Sequence, residues 1–338
     1  MRFLLKKKWN IAYSINDQGS GPLAERILEL RGFTGSGIQD DFFEPELRVF
    51  HDPYLLDDME RVAEVVIDAV SEDLKVLIFG DYDADGITAT AILCHYLRSI
   101  GADVSYMIPE RLTEGYGLSD DSIERIIAEY PGILITVDNG IASADEVGRL
   151  MQAGIKVIVT DHHECKDVLP PAVAVIDPKR KDSTYPFRDL AGAGVALKLV
   201  QAISGELGDP DAWQRYTDIC TLGTVADMVS LTDENRMIVY HGLKKLNNGG
   251  NPGNAALRRT AAFKDCDKIT SSTLGFLGAP RINAAGRVGD SSRAVQLLME
   301  TDAALCDELA AELSNDNLKR QEIETEIFAE ARKMIDEK

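Results

Sequence analysis

Residues 75 to 93 read KVLIFGDYDADGITATAIL, and the rest of the chain is organised around them. The apolar run at 76–79 has the length and the β-branching of a buried strand. Three carboxylates follow it at alternate positions, namely Asp81, Asp83 and Asp85. Residues 88–97 then predict a helix, which places the carboxylates on the turn at the carboxyl end of a strand. Open α/β sheets bind their ligands at that edge.

Three like charges within five residues repel each other, so the pattern indicates a compensating partner. A divalent cation is the usual one, and clusters of oxygen ligands suit Mg²⁺, Mn²⁺ or Ca²⁺. A solvated acidic turn is the structural alternative, and spacing alone leaves it open. The pattern also matches the start of an EF-hand loop, but Ile92 stands where that loop needs a glutamate. An EF-hand also needs a helix where this sequence predicts a strand, so we reject it.

The 338 residues have room for two domains, or for one large domain with an extension. Hydrophobic residues make up 45% of them, and no apolar run approaches the roughly 18 residues of a membrane span. The five cysteines form no C-x-x-C pair and the N-terminus lacks a signal-peptide pattern, which together predict a cytoplasmic protein with reduced thiols. The formal net charge of −20 argues against a protein that coats nucleic acid nonspecifically, but not against an enzyme with a local basic path.

Strand and helix patterns alternate around the central stretch. Further strands are predicted at 104–108, 133–137, 156–160 and 172–176, and helices at 57–70, 120–129 and 143–153, the last with Ser143 as its cap. This alternation predicts an α/β fold with a mostly parallel sheet flanked by helices. Two of the added strands end at Asp138 and at Asp161-His162-His163. The carboxyl ends of parallel strands share one edge, so these side chains are expected beside the first three carboxylates.

From Gly194 onward the sequence pattern is helical, with helices predicted at 195–203, 212–222 and 235–246. A lone Asp227 in the apolar segment 222–231 is on this pattern either a cap or a paired core residue. Residues 278–287, GAPRINAAGR, combine Gly, Pro and Asn with two arginines, a composition suited to wrapping a phosphate. The highly charged stretch 301–338 predicts a long helix that connects to a further part of the protein.

Five ordered motifs together resemble the DHH phosphoesterases, and among them the single-strand-specific 5′→3′ DNA exonucleases. The motifs are GDYDADG at 80–86, VDNG at 137–140, TDHHE at 160–164, VAD at 225–227 and GAPRINAAGR at 278–287. The resemblance covers roughly residue 43 to the end and includes FEPELRVFHDPYLLDDM at 43–59. It implies two-metal hydrolysis of phosphodiester bonds in single-stranded DNA, with release of 5′ mononucleotides, in DNA recombination and repair.

The resemblance also implies a set of metal ligands. Asp83 would hold one ion with Asp81 beside it, and Asp138 would bridge both ions. The remaining ligands of the second ion would be Asp85, His162 and Asp227. Mixed carboxylate and imidazole ligands favour Mn²⁺, with Mg²⁺ as the alternative. Without the carboxylates, the two adjacent histidines would be interpreted more simply as a strand-end pair.

Further roles follow from the same resemblance. The residues implied to act in catalysis are His163, Arg281 and Asp138. The residues implied to grip the 5′ phosphate or the neighbouring backbone are Arg111, Asn283 and Arg287. The implied partners are single-stranded DNA, a single-strand-binding protein and a recombination helicase, with no role for a membrane.

Two departures from the family pattern affect these expectations. Phe79 stands where many relatives have a histidine, so the first ion is expected to have fewer protein ligands. The family's DHHA1 domain and OB fold find no counterpart, which predicts a catalytic core that ends in a connecting helix. The predicted parts are an N-terminal extension at 1–50, the α/β core at 51–190, a helical part at 191–300 and the connecting helix at 301–338. Two alternatives stay open: a DHH phosphodiesterase for short oligonucleotides or cyclic dinucleotides, and a replication scaffold without catalysis.

Overall fold

The computed structural model describes residues 23–33, 42–46, 50–111, 114–260, 263 and 266–337. The chain divides into two compact units, Met1–Val49 and Phe50–Lys338. The described residues of the first unit include one helix, α1 at Leu23–Leu30. Most of the predicted N-terminal extension lies outside the described residues. The second unit contains the sheet and the candidate site.

The first half of the second unit alternates strands and helices. Its strands are β1 Val76–Gly80, β2 Val104–Met107, β3 Ile133–Val137, β4 Lys156–Thr160 and β5 Ala174–Ile176. Its helices are α2 Met59–Ser71, α3 Ala84–Ser99, α4 Asp120–Glu129 and α5 Ala144–Gln152. All strand pairs are parallel, and the strand order is β2-β1-β3-β4-β5. The predicted α/β fold with a mostly parallel sheet is confirmed.

The second half is helical, as the sequence predicts. Its helices are α6 Gly192–Glu206, α7 Thr217–Ala226, α8 Asp233–Asn247, α9 Pro252–Arg259, α10 Ala279–Val288, α11 Ser292–Met299 and α12 Ala303–Asp336. A single α-helical turn, Ser271–Thr273, and a π-helical turn, Leu274–Gly278, lead directly into α10. Among the described helices, none combines the length and apolar character needed to cross a bilayer. The long final helix is confirmed, while the exact domain boundaries stay a prediction.

Helices cover both faces of the sheet, which explains why β1 and β3 are buried along their whole length. Val76 and Ile78 of β1 point to one face and join a large apolar cluster that includes residues of α3 and α6. Leu77 and Phe79 point to the other face and join a smaller cluster with residues of α4 and α5. The apolar run that predicts β1 therefore serves two separate cores.

The start of α3 differs from the prediction in a way that matters for the site. The helix begins at Ala84 and not at residue 88. A side-chain oxygen of Asp83 accepts hydrogen bonds from the N–H groups of Asp85 and Gly86, at 2.9 and 3.0 Å, and so caps the helix. Asp85 therefore lies in the first turn of a helix, and the prediction that it lies on a turn before the helix is wrong.

Other corrections have similarly local causes. Residues 278–287 fall almost entirely in α10, which tolerates Pro280 because the first turn of a helix needs no N–H donor there. The predicted helix at 212–222 is divided into a 3-10 turn, Ala212–Tyr216, and α7. Ser143 occupies the N-cap position of α5, as predicted, but its side chain makes no capping hydrogen bond. Strand β5 begins at Ala174, two residues later than predicted.

A buried ion pair joins α6 to α8. Lys198 and Glu234 are both fully buried, and their charged groups lie 3.0 Å apart. The Glu234 carboxylate also accepts hydrogen bonds from the backbone N–H of His51 at 2.9 Å and from the Tyr185 hydroxyl at 2.5 Å. The Lys198 ammonium donates to the His51 carbonyl oxygen and lies 3.7 Å from the centre of the Phe50 ring. Four separate segments are thus held together by one satisfied polar cluster.

Replacing Lys198 by methionine should destabilise the protein strongly, because the Glu234 carboxylate would stay buried without its cation. Breaking a buried pair in this way costs about 3 kcal/mol or more in the free energy of unfolding. Urea denaturation of the Lys198→Met variant measures the loss. The matched control is Lys181→Met, which removes the cation of an exposed pair with Asp167 and should leave the midpoint almost unchanged. Equal midpoints for both variants would contradict the proposed importance of the buried pair.

Candidate metal centre

Polar side chains gather where β1, β3 and β4 end, because these three strands are neighbours in the sheet. Asp81 follows β1, Asp138 follows β3, and His162 with His163 follows β4. Strand β2, the next in the chain after β1, lies on one side of β1, and β3 lies on its other side. The direction in which strands are added to the sheet therefore reverses between β1 and β3. Ligand sites of doubly wound sheets lie at such a switch point, outside the carboxyl ends of the strands.

Six side chains supplied by strand ends and helix ends form two groups of metal-binding donors. The first group is Asp81, Asp83 and Asp138, and the second is Asp85, His162 and Asp227, with the donor atoms of each group within 4.8 Å of one another. Asp138 also forms a third such group with the two histidines, so it connects the first two. The structure therefore brings together every metal ligand that the sequence predicts.

The contact between Asp138 and His162 connects the two groups. Their Oδ1 and Nε2 atoms lie 3.1 Å apart, and both residues are almost fully buried. Neither atom has a hydrogen-bond partner among the described residues. Buried polar atoms normally have partners, and two unpartnered acceptor atoms facing the same space fit a cation between them. Phe79 is buried in the apolar cluster, so the first group consists of carboxylates alone.

The backbone of Asp138 adopts a left-handed conformation, with φ at 62°. Its N–H donates to the carbonyl oxygen of Thr160 at the end of β4, at 3.0 Å. The side-chain amide of Asn139 donates to the carbonyl oxygens of Phe79 and Val137, at 3.2 and 2.9 Å, and so ties β1 to β3. A non-glycine residue in this conformation is strained and needs such support. These contacts fix the direction of the Asp138 carboxylate.

The N-terminus of α6 supports Asp85. The backbone N–H groups of Gly192 and Ala193 donate to the two oxygens of the Asp85 carboxylate, at 2.6 and 2.9 Å. A helix N-terminus stabilises an anion through these free donors and through its dipole. Gly192 must be a glycine, because a Cβ there would lie 2.7 Å from the Cβ and Oδ1 atoms of Asp138.

Burial and mutual repulsion raise the pKa values of these carboxyl groups. The pKa of Asp81 rises to about 7 because of burial and the neighbouring Asp83, and that of Asp227 rises to about 6, mainly through burial. The pKa values of Asp85 and Asp138 also lie well above their ordinary range, first because both side chains are buried and then because other carboxylates surround them. The cluster therefore takes up protons near neutral pH unless another cation replaces them.

The two adjacent histidines have opposite environments. Burial lowers the pKa of His162 to about 4, which leaves it neutral and able to coordinate a cation through a nitrogen lone pair. A hydrogen bond of 2.7 Å between the His163 Nδ1 atom and Asp161 raises the pKa of His163. His163 also keeps 45% of its side chain exposed, so it faces the space a ligand would enter. One histidine suits a metal and the other suits an anion.

Two supporting residues are not recognised from the sequence. Asp161 is buried, holds His163 and also accepts the backbone N–H of Ile141 at 2.9 Å. Tyr116 places its hydroxyl 3.3 Å from His163 Nδ1 and 3.4 Å from the carbonyl oxygen of Asp138, and burial raises the pKa of this hydroxyl so that it stays protonated. In the sequence, Tyr116 stands between two glycines, and this is a signal that could have identified it. Both glycines have positive φ in the structure.

The substrate residues predicted on α10 are placed differently from one another. Arg281 is buried, and its guanidinium donates to the Leu277 carbonyl oxygen and to the Ser314 hydroxyl, at 2.5 and 3.2 Å. Among the described residues it makes no hydrogen bond or ion pair with a carboxylate of the site. Its predicted catalytic role would require it to leave these contacts. The side-chain oxygen of Asn283 accepts the N–H of Ala84 at 2.7 Å. Asn283 therefore holds residues 81–85, which carry three of the carboxylates and are called the carboxylate loop below.

Arg111 and Arg287 line one pocket of about 280 Å³, formed by residues 108–111 and 286–291. The guanidinium of Arg111 lies 5.1 Å from the centre of the Tyr82 ring, and Tyr82 stands between Asp81 and Asp83 in the chain. Glu110 and Asp290 also line the pocket, so its charge is mixed. Two of the three predicted phosphate-binding residues, Arg111 and Arg287, therefore lie together in a pocket next to Tyr82.

Comparison with known proteins gives a consistent result. A model of the DHH family, N-terminal domain, matches residues 75–224. The single-stranded-DNA-specific exonuclease RecJ of Bacillus subtilis is 38% identical over 316 residues, which are 94% of this chain and 39% of that protein. RecJ of Haemophilus influenzae is 36% identical, over 94% of this chain and 56% of that protein. The chain thus spans about two fifths to just over half of these relatives.

Solved structures give the same match. A crystal structure of exonuclease RecJ bound to manganese superposes with a TM-score of 0.75 at 35% identity, covering 81% of this chain and 69% of that chain. RecJ of Thermus thermophilus in complex with Mn²⁺ superposes with a TM-score of 0.77 at 31% identity, covering 91% of this chain and 43% of that chain.

Gly192→Ala should weaken the binding of Mn²⁺ or Mg²⁺ without unfolding the protein, because the added methyl group would displace the Asp138 carboxylate. Losing the support of a ligand typically costs about 10- to 100-fold in metal affinity. Isothermal titration calorimetry measures the change. The control is Gly205→Ala in the same helix, where a Cβ would meet no atom within 4 Å and affinity should be unchanged. Wild-type affinity in Gly192→Ala would show that this close approach is unimportant.

The raised carboxyl pKa values also predict how pH affects the metal-free protein. In the folded state these groups bind protons up to about pH 6 to 7, whereas in the unfolded state they ionise near pH 4. The folded state therefore holds more protons between these values, and stability falls as pH rises from about 4 to 7. Thermal unfolding with EDTA should show this decline, and added Mn²⁺ should reverse it at pH 7.5. A stability of the metal-free protein that rises over this range would contradict the assignment.

Proposed function

The chain belongs to the DHH family, and from this premise we propose that it hydrolyses single-stranded DNA from the 5′ end. The observation that carries the proposal is the pair of donor groups joined by Asp138 at the carboxyl edge of the sheet. A pair of divalent cations is the usual arrangement for in-line displacement at a phosphodiester. The similar exonucleases named above act on single-stranded DNA, which makes this the substrate class we propose.

We propose that Asp81, Asp83 and Asp138 hold one ion and that Asp85, His162 and Asp227 hold the other, with Asp138 shared. The donor set fits, because it combines carboxylate oxygens with one neutral imidazole, a mixture suited to Mn²⁺ and also to Mg²⁺. The similar RecJ structures with bound manganese support this choice. When bound, such ions lower the pKa of a water molecule and neutralise charge on the phosphate.

The protein's own residues supply the rest of the chemistry. His163 is held by Asp161 through its Nδ1 atom, which leaves its other ring nitrogen free to donate to a phosphoryl oxygen. The N–H groups at the start of α6 donate to the Asp85 carboxylate and so favour its ionised form. Tyr116 holds its hydroxyl against His163 and so restrains the ring.

The pocket lined by Arg111 and Arg287 is the site we propose for the 5′ phosphate. Guanidinium groups bind phosphate oxygens in a planar, two-point geometry, and the pocket lies next to the carboxylate loop through Tyr82. A terminal phosphate held there would set the distance from the strand end to the metal centre. Asn283 would act by positioning the carboxylate loop. We also propose that the protein acts in the cytoplasm, with a single-strand-binding protein and a recombination helicase as partners.

The decisive experiment is hydrolysis of 5′-labelled single strands in Mn²⁺ or Mg²⁺, beside a matched duplex and a cyclic dinucleotide. We expect labelled mononucleotide from the single strand and almost none from the duplex. Asp138→Asn should abolish the reaction. Asp121→Asn, at an exposed position of α4, should leave it unchanged. Hydrolysis of the cyclic dinucleotide without DNA cleavage would favour the other phosphodiesterases of the family. Metal binding without hydrolysis of any substrate would favour a scaffold.

Replacing each histidine in turn should separate their roles. His163→Ala should lower turnover by about 10²- to 10³-fold with unchanged metal content, the scale for losing one donor to the transition state. His162→Ala should instead lower the metal content. Single-turnover kinetics together with metal analysis of the two variants measures both effects. Loss of metal in His163→Ala would mean that the two roles are exchanged.

A further inference from the structure

Two side chains outside the donor groups of the metal centre lie at the same edge of the sheet. Asp177 directly follows β5, and Cys165 lies on the loop that leaves β4. The N–H of Asp161 donates to the carbonyl oxygen of Ile176 at 3.0 Å, so the ends of these two neighbouring strands are held together. The strand order that assembles the metal centre therefore also brings Cys165 toward Asp177.

The Asp177 carboxylate is buried, with 1% of the residue's surface exposed, and only one of its oxygens is satisfied. Its Oδ1 atom accepts the backbone N–H of Lys179 at 2.7 Å. Its Oδ2 atom is buried and has no hydrogen-bond partner among the residues that the structure describes. Burial raises the pKa of this carboxyl group to about 7. Unpartnered buried oxygens are uncommon in folded proteins, so this one indicates a proton or a cation that completes the site.

The Cys165 thiol is the group that approaches the free side of Asp177. Burial, and after it the Asp177 carboxylate, raise the pKa of the thiol to about 12. The contact does not satisfy Oδ2 as a hydrogen bond. Cys165 also packs partly against the smaller apolar cluster, which limits the movement of its side chain. A sulfur and a carboxylate oxygen thus lie close together with no cation between them.

Cys165 also lines an open surface pocket of about 630 Å³. Lys166 is the one lysine of this pocket, and its ammonium group donates to the carbonyl oxygen of Ala142 at 2.7 Å. Three carboxylates line the same pocket, namely Asp145, Glu146 and Asp167. The lining residues therefore carry a net negative charge, which favours the approach of a cation to the sulfur from solvent.

We propose that Cys165 and Asp177 form a binding site for a thiophilic divalent cation such as Zn²⁺, called the thiolate site below. The cation would bond to the sulfur and to the free Oδ2 atom, and the thiol proton would pass to solvent without any redox step. The neighbouring Glu164, whose side chain is 87% exposed, is placed to supply a third ligand, with water as the fourth.

The thiolate site differs from the metal centre in the cation it selects. Thiolate ligands favour Zn²⁺, whereas the carboxylates and the imidazole of the metal centre suit Mn²⁺ or Mg²⁺. None of Glu164, Cys165 and Asp177 belongs to the two donor groups joined by Asp138. The proposal therefore does not depend on hydrolysis of DNA. Its alternative is a proton shared between the thiol and the carboxyl group, which needs no cation.

The test uses Cd²⁺ as a probe for Zn²⁺, because a bond between a thiolate and Cd²⁺ gives an ultraviolet charge-transfer band. The protein is first saturated with Mn²⁺ to fill the metal centre, and Cd²⁺ is then titrated while the band is followed. Wild-type protein should give a saturable band from a single thiolate. Addition of Zn²⁺ should remove the band, and the same concentration of Mg²⁺ should not.

Three variants assign the band to its ligands. Cys165→Ser should abolish it, whereas Cys266→Ser, which removes the other half-buried cysteine, should keep it. Asp177→Asn keeps the Oδ1 atom that accepts the Lys179 N–H and removes only the free anionic oxygen, so it should fold normally. This variant should bind Cd²⁺ at least about 10-fold more weakly, the lower bound for disturbing a metal site. Thermal unfolding checks that each variant is folded.

The outcomes separate the thiolate site from the proposed function. Asp138→Asn should lose hydrolysis and keep the band, because the thiolate site does not use the metal centre. The absence of a saturable band in the wild type, an unchanged band in Cys165→Ser or wild-type affinity in Asp177→Asn would overturn the site in favour of a shared proton. Loss of the band in Asp138→Asn would also overturn it, since the cation would then depend on the metal centre.

Discussion

Electrostatic repulsion among buried carboxylates is the constraint on which this structure depends. Five aspartates from two strand ends and two helix ends face one small space, and several are almost fully buried. The fold opposes the repulsion with donors that are fixed in the backbone, above all the start of α6 beneath Asp85. What the backbone does not neutralise must be neutralised by protons or by metal ions. The high carboxyl pKa values and the suitability for divalent cations therefore have one physical cause.

The rigidity of the surrounding core follows from the same constraint. Repelling groups stay close only if the elements that carry them cannot move apart. The buried pair of Lys198 and Glu234 joins α6, which supports Asp85, to α8, which begins shortly after Asp227. The side chain of Asn139 ties β1 to β3 directly beneath Asp138. The buried charges of Lys198 and Glu234 are hydrogen-bonded, so they fix geometry without leaving orphaned charges.

The sequence predicts the parts of the site that depend on chain order, and not those that depend on packing. Strand periodicity places Asp81, Asp138 and His162 on one edge, because the carboxyl ends of parallel strands must coincide. The contacts of Arg281 could not be predicted in this way, since they depend on how α10 rests on α12. The need for glycine at position 192 likewise arises from the approach of a distant helix. A helix start, such as that of α3, is decided by a single side-chain hydrogen bond.

The candidate metal donors all lie between residues 81 and 227, whereas two of the proposed substrate residues, Asn283 and Arg287, lie later in the chain on α10. On the proposed function, hydrolysis depends on the first segment, and binding of the strand depends partly on a later one that contacts it at Tyr82 and Ala84. Such a division makes the protein modular in an evolutionary sense. On that proposal, changes near Arg287 would retune which polymer is accepted, and how tightly, while the donor groups stay intact.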